Sequence, residues 1–87
     1  MRVTVISPEA AVFDGEADSV VAPAYDGELG ILANHAPLMT VLGSGVLSIK
    51  AGGLTRRYRV QGGFLQVVKN SVRILAEHMQ GEADASK

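Results

Sequence analysis

The stretch GVLSIKAGGLTRRYRVQ, Gly45 to Gln61, decides the fold. Leu47 and Ile49 alternate with Ser48 and Lys50, the period of two that gives a strand one apolar face. Gly52-Gly53 follows, and glycine tolerates the positive φ that a two-residue hairpin turn demands. Leu54 to Gln61 then returns as the antiparallel partner. Outward from this hairpin the same grammar repeats: apolar bursts of strand length, punctuated by Gly, Pro, Asp, Asn or Ser. Upstream, Val3 to Ile6 closes at Ser7-Pro8, and Ala11 to Phe13 closes at Asp14-Gly15. Ala17 to Ala24 ends around Pro23, and Leu38 to Leu42 ends at Gly43-Ser44-Gly45. Downstream, Gly62-Gly63 bends the chain into Phe64 to Val68, and Lys69-Asn70 turns it into Ser71 to Ala76.

Turns at intervals of roughly ten residues predict an all-β, two-sheet β-sandwich of about ten short strands, mostly antiparallel. One domain is expected over residues 1–77. Residues 78–87 lack periodicity and read as a polar, disordered C-terminal tail. The only helical signal is Ile74 to Gln80, which Gly81 would stop at once. Apolar doublets such as Ile31-Leu32 and Phe64-Leu65 imply strands covered on both faces, by the core on one and by a partner on the other.

Asp26 to Leu38 reads differently. Gly27, Gly30 and Pro37 break it into an irregular loop that nonetheless carries Leu29, Ile31, Leu32 and Leu38. Loops usually spend polar residues, so an apolar loop marks a docking surface. On this reading Gly30 shapes the loop, and Gly30→Val would damage it.

Composition narrows the function. The chain has 87 residues, no cysteine and 47% hydrophobic content. Apolar burial alone must offset about 1.5 kcal/mol of entropy per ordered residue, with no disulfide to help. Eight basic and nine acidic side chains nearly cancel. Arg56, Arg57 and Arg59 form the one basic cluster and read as a solvated edge face that discourages strand pairing, not as a nucleic-acid stripe. No apolar run approaches the ~20 residues that span a bilayer. A strand pattern beginning at Arg2 leaves no room for a targeting peptide.

No catalytic, cofactor or metal constellation emerges. His35 and His78 are far apart, and no serine sits in a Gly-x-Ser-x-Gly elbow. Asp14, Glu16 and Asp18 alternate like the start of a calcium loop, but Ser19 and Tyr25 stand where its glycine and closing glutamate belong. Neither Gly43-x-Gly45 nor Gly62-Gly63 opens a helix, so neither cradles phosphate. A biotinyl or lipoyl carrier domain is the alternative of similar size. It needs a lysine at the centre of an acid- or methionine-flanked hairpin, and Lys50 and Lys69 only lie near turns.

The ordered set of motifs resembles the N-terminal β-sandwich domain of the epsilon subunit of F-type ATP synthases. It comprises Val5-Ile6-Ser7-Pro8, Phe13-Asp14-Gly15, Gly27-Glu28-Leu29-Gly30-Ile31 and Asn34-His35-Ala36-Pro37-Leu38. It continues with Leu42-Gly43-Ser44-Gly45, Gly62-Gly63-Phe64 and Asn70-Ser71-Val72-Arg73-Ile74-Leu75. The resemblance implies two five-stranded sheets in a rotor subunit of the central stalk, which links the gamma subunit to the membrane c-ring and catalyses nothing. It implies that Asp26, Gly27, Glu28 and Leu29 face the c-ring. Ser7, His35, Pro37, Leu38 and Thr40 correspond to the gamma-facing surface. It also implies a peripheral place on the cytoplasmic face of a bacterial plasma membrane. Longer members carry a helical hairpin that senses nucleotide; the ten residues after Glu77 are too few for one, so no nucleotide binding is carried over.

Overall fold

A computed structural model describes residues 1–9 and 11–81. The hairpin at its centre has the turn its sequence demands: Gly52 and Gly53 take φ of 59° and 85°, and Ala51 faces Leu54. The strands are β1 (Arg2–Ile6), β2 (Ala11–Glu16), β3 (Ser19–Ala24) and β4 (Gly27–Leu32), then β5 (Leu38–Val41), β6 (Ser44–Ala51), β7 (Leu54–Val68) and β8 (Ser71–Gly81). Lys69-Asn70 forms the β7–β8 turn, with φ of 51° and 62° and Val68 facing Ser71.

Hydrogen bonding connects all the strands, yet the long hairpin β7–β8 divides them between two layers. The first half of β7 pairs with β6 and with the end of β8. β6 leads on to β3 and β4. The second half of β7 pairs with β5 on one side and the start of β8 on the other, and β8 leads to β1 and β2. Each layer thus holds five strand segments, with β7 and β8 counted in both. Eight strands supply the roughly ten segments that the turn spacing predicts. Every pairing is antiparallel except β1 with β8.

The sandwich closes on one core. β1 contributes Val3 and Val5, and β8 contributes Val72, Ile74 and Ala76; β7 contributes Tyr58, Val60, Leu65 and Val67. Against Val3, Val5, Leu65, Val67, Val72, Ile74 and Ala76 sit Val20, Ala22, Ile31, Leu47 and Ile49 from the other layer, together with Tyr58 and Val60 from the first half of β7. In β7 the buried positions are even before the glycines and odd after them. The register with β8 runs unbroken, so the change of face comes from backbone rotation at Gly62 (φ 76°) and Gly63 (φ 114°). A Cβ on Gly63 would run into the Leu75 carbonyl oxygen, and the Ala76 Cα lies 2.9 Å from where it would sit.

Three local expectations are corrected. Gly27 to Leu32 is a regular strand, not a broken loop: only Gly27 has a positive φ, and a Cβ on Gly30 would meet nothing. Asp14-Gly15 does not end β2, because Asp14 pairs with Thr4, Gly15 with Val3 and Glu16 with Arg2. β8 continues to Gly81 through residues 78–81 of the expected tail, since His78, Met79, Gln80 and Gly81 each pair with β7. Residues 82–87, the rest of that tail, lie outside the described residues.

Leu65→Ala or Ile49→Ala, each removing a fully buried side chain, should cost about 2–5 kcal/mol in urea unfolding. Gly63→Ala should cost about 3 kcal/mol or more, because both dihedral and space refuse it. Gly30→Ala should be neutral or stabilise by up to about 1 kcal/mol, and an unaltered Gly63→Ala midpoint would overturn this account of the bend.

Candidate docking surfaces

The outer faces of the two layers differ. On the layer built from β5, β7, β8, β1 and β2, pairing sets Val41 opposite Phe64, Phe64 opposite Leu75, and Leu75 opposite Ile6. These four side chains form one continuous apolar row across four strands. They remain 57%, 42%, 37% and 37% exposed in that order. With strands about 4.8 Å apart, the row is roughly 14 Å long. Scattered exposed apolar residues need no explanation, but an aligned row does. The neighbouring row begins with the apolar Met39 and is otherwise polar, with Gln66, Arg73, Thr4 and Asp14 in register order. There Arg2 holds Asp14 through Nε at 2.9 Å and Nη2 at 2.7 Å.

The expected gamma-facing residues fall into two groups. Ser7 is 8% exposed and donates its hydroxyl to Glu9 Oε1 at 3.3 Å. It lines a groove of about 270 Å³ with Ile6, Phe64 and Leu75, so it sits at one end of the apolar row. His35 and Pro37 lie in the β4–β5 connection, at the diagonally opposite corner. Pairing levels separate Ser7 from Leu38 by about 13 Å along the strands and about 14 Å across them. His35 N–H donates to the Leu32 carbonyl at 3.2 Å. Its Nδ1 lies 2.7 Å from the Ala36 carbonyl oxygen, which makes that nitrogen the protonated one. Asn34 N–H donates to Asn70 Oδ1 at 2.9 Å, fastening this connection to the β7–β8 turn. Leu38 packs against the core, and Thr40 shares its side of β5, while Met39 and Val41 point outward.

The expected ring-facing residues form the tip of the β3–β4 hairpin. Ala24 pairs with Gly27 across Tyr25-Asp26. Asp26, Gly27 and Glu28 are exposed, whereas Leu29 turns inward to the core. The tip is tied to the other layer: Tyr25 N–H donates to the Val41 carbonyl at 3.2 Å, and Gly43 N–H to the Pro23 carbonyl at 2.7 Å. The hairpin tip therefore adjoins the end of the apolar row.

Val41, Phe64, Leu75 and Ile6 were not among the sequence-predicted contacts. Only the doublet Phe64-Leu65 signalled a strand covered on both sides. Lys69 lies within a tight turn rather than beside one, flanked by Val68 and Asn70. His35 and His78 stand on different elements, and among the described residues no three His, Cys, Asp or Glu side chains gather into a metal-binding group.

Comparison with known proteins agrees with this architecture. The family model for the β-sandwich domain of the ATP synthase delta/epsilon chain matches residues 1–82. An ATP synthase epsilon chain of Leptospira borgpetersenii is 49% identical over 78 residues, covering 90% of this chain and 61% of that one. The epsilon chain of Caulobacter vibrioides is 44% identical over 78 residues and is covered to 91% of its length. Among solved structures, a chain of the Euglena gracilis mitochondrial ATP synthase (OSCP, F1 and c-ring) superposes with a TM-score of 0.85 at 25% identity, over 94% of this chain and 54% of that one. The chain thus spans about three fifths of the Leptospira relative.

If the apolar row is a solvent-facing surface rather than hidden core, Val41→Ser should shift the urea midpoint by less than about 1 kcal/mol, well below Leu65→Ala.

Proposed function

Because the chain belongs to the family of ATP synthase delta/epsilon-chain β-sandwich domains, we propose that it is a rotor component of the central stalk, joining the gamma subunit to the membrane c-ring. The observation that carries this reading is the row Val41–Phe64–Leu75–Ile6. An aligned apolar row with a polar row beside it is the make-up of an interface core with its rim. Gamma docks on this face. Ser7 borders the row at one end, His35 and Pro37 mark the far corner, and Leu38 and Thr40 support β5 from within.

The β3–β4 tip meets the ring through Asp26, Gly27 and Glu28, with Leu29 anchoring the strand beneath. An exposed carboxylate at such a rim contributes about 0–1 kcal/mol, so charge sets register while apolar contact supplies most of the affinity. The work is mechanical. A sandwich cross-linked by its own hydrogen bonds transmits torque from ring to stalk without making or breaking a covalent bond. Through these two contacts the domain stays at the membrane periphery, on the cytoplasmic face in a bacterium. A carrier role has little to support it, since Lys69 has neither acid nor methionine beside it.

Co-purification with gamma tests the reading. Wild type should form a complex at micromolar concentration, burying about 800 Å² per partner. Phe64→Asp and Leu75→Asp should abolish it while their thermal unfolding stays cooperative. Retention of gamma by both variants would overturn the assignment of this face. Glu28→Gln should weaken ring attachment by no more than about fivefold.

A further inference from the structure

Tyr25 is 77% exposed, more than any other large apolar side chain among the described residues. The chain has four aromatic side chains. Phe13 packs against the core, Tyr58 is buried and Phe64 lies in the apolar row; Tyr25 alone belongs to neither core nor row. Its backbone is nevertheless fixed. Its N–H donates to Val41, and the preceding Ala24 bridges Leu42. A phenol ring on a fastened turn loses little freedom on binding, which is what makes tyrosine an efficient contact residue.

Charge says what that ring faces. Between Arg2 and Lys50 the chain contains no lysine or arginine, but it has six carboxylates: Glu9, Asp14, Glu16, Asp18, Asp26 and Glu28. Four are engaged. Glu9 accepts from Ser7, Asp14 from Arg2 and Asp18 from the Gly52 N–H, while Glu16 pairs with the Met1 ammonium. Asp26 and Glu28 have no hydrogen-bond or ion-pair partner among the described residues. Both follow Tyr25 on the same hairpin tip, Asp26 next to it and Glu28 opposite Pro23. An aromatic face beside two unengaged carboxylates suits a cationic side chain, the ring attracting it through its quadrupole and the carboxylates through hydrogen bonds.

We infer that Tyr25 is a docking residue of the hairpin tip, receiving an arginine or lysine from a loop of the membrane ring. The inference rests on the assignment of this tip to the ring, and it adds the cation-stacking partner. The chain's own Arg56, Arg57 and Arg59 offer a competing occupant, in which a second copy would lay its basic hairpin on the tip.

The test uses the isolated, detergent-solubilised ring as probe against the immobilised full chain, with dissociation constants read at low and high salt. Tyr25→Ser should weaken ring binding about tenfold, and Tyr25→Phe should stay within about twofold. Tyr25→Leu, which keeps apolar area without the quadrupole, should follow the serine variant, and gamma binding should be equal for all. Tyr25→Ser binding the ring like wild type would overturn the inference alone, as would a leucine variant as tight as wild type. Wild type that binds gamma but not the ring overturns the ring assignment and this inference together. Concentration-dependent dimerisation in sedimentation that Tyr25→Ser abolishes would overturn it in favour of a second copy.

Discussion

Two long strands belong to both layers of this sandwich, and they do so only because Gly63 has no side chain. The Leu75 carbonyl oxygen occupies the space a Cβ would need, and the φ of 114° would strain any other residue. What passes through that point is the register of β7 with β8, intact from Tyr58–Gly81 to Val68–Ser71. A bulge would also have bent the pair, but at the expense of the ladder. Glycine rotation keeps the register and exchanges the faces instead, so Val60 and Leu65 both point into one core. Val41, Phe64, Leu75 and Ile6 align on the outside only because this register survives the bend.

The two outer faces are consequently unlike. The β4-β3-β6-β7 face presents Ser48, Lys50, Arg57 and Arg59, which water solvates well. The opposite face carries the apolar row, with the row of Gln66, Arg73, Thr4 and Asp14 beside it. The second face is therefore the one whose exposed apolar side chains line up strand by strand. The hairpin tip hangs from that face through the Tyr25–Val41 and Gly43–Pro23 hydrogen bonds. Displacement of the tip is therefore felt directly at the row.

How much of this was legible beforehand depends on whether the cause was local. Gly52-Gly53 and Lys69-Asn70 were readable as turns because their positive φ is a demand on those residues alone. Gly30 misled for the same reason in reverse. Glycine permits unusual angles without adopting them, and here the pairing of Gly30 with Val21 holds it in an ordinary strand. The extended course of residues 76–81 could not be seen from their own sequence, because β7 imposes it. The β3–β4 tip was singled out by its motif, and Asp26, Gly27 and Glu28 are exposed there. The apolar row was invisible: its four members lie far apart in the chain and meet only through three separate registers. Phe64-Leu65 revealed that one strand had two apolar sides, but not what lay beside it.

The single parallel pairing has an effect on how the molecule is made. β1 precedes every other described strand in the chain, yet its place in the ladder is between β2 and β8, and β8 is the last of the described strands. Until residues 71–75 leave the ribosome, one edge of β1 stays open, with Val3 and Val5 waiting for Val72 and Ile74. Contacts between such distant stretches make folding slow and leave nascent chains vulnerable to sticking together. The polypeptide closes like a ring binder whose last clasp is also its first page, so premature release of the nascent chain would yield no partial product worth keeping.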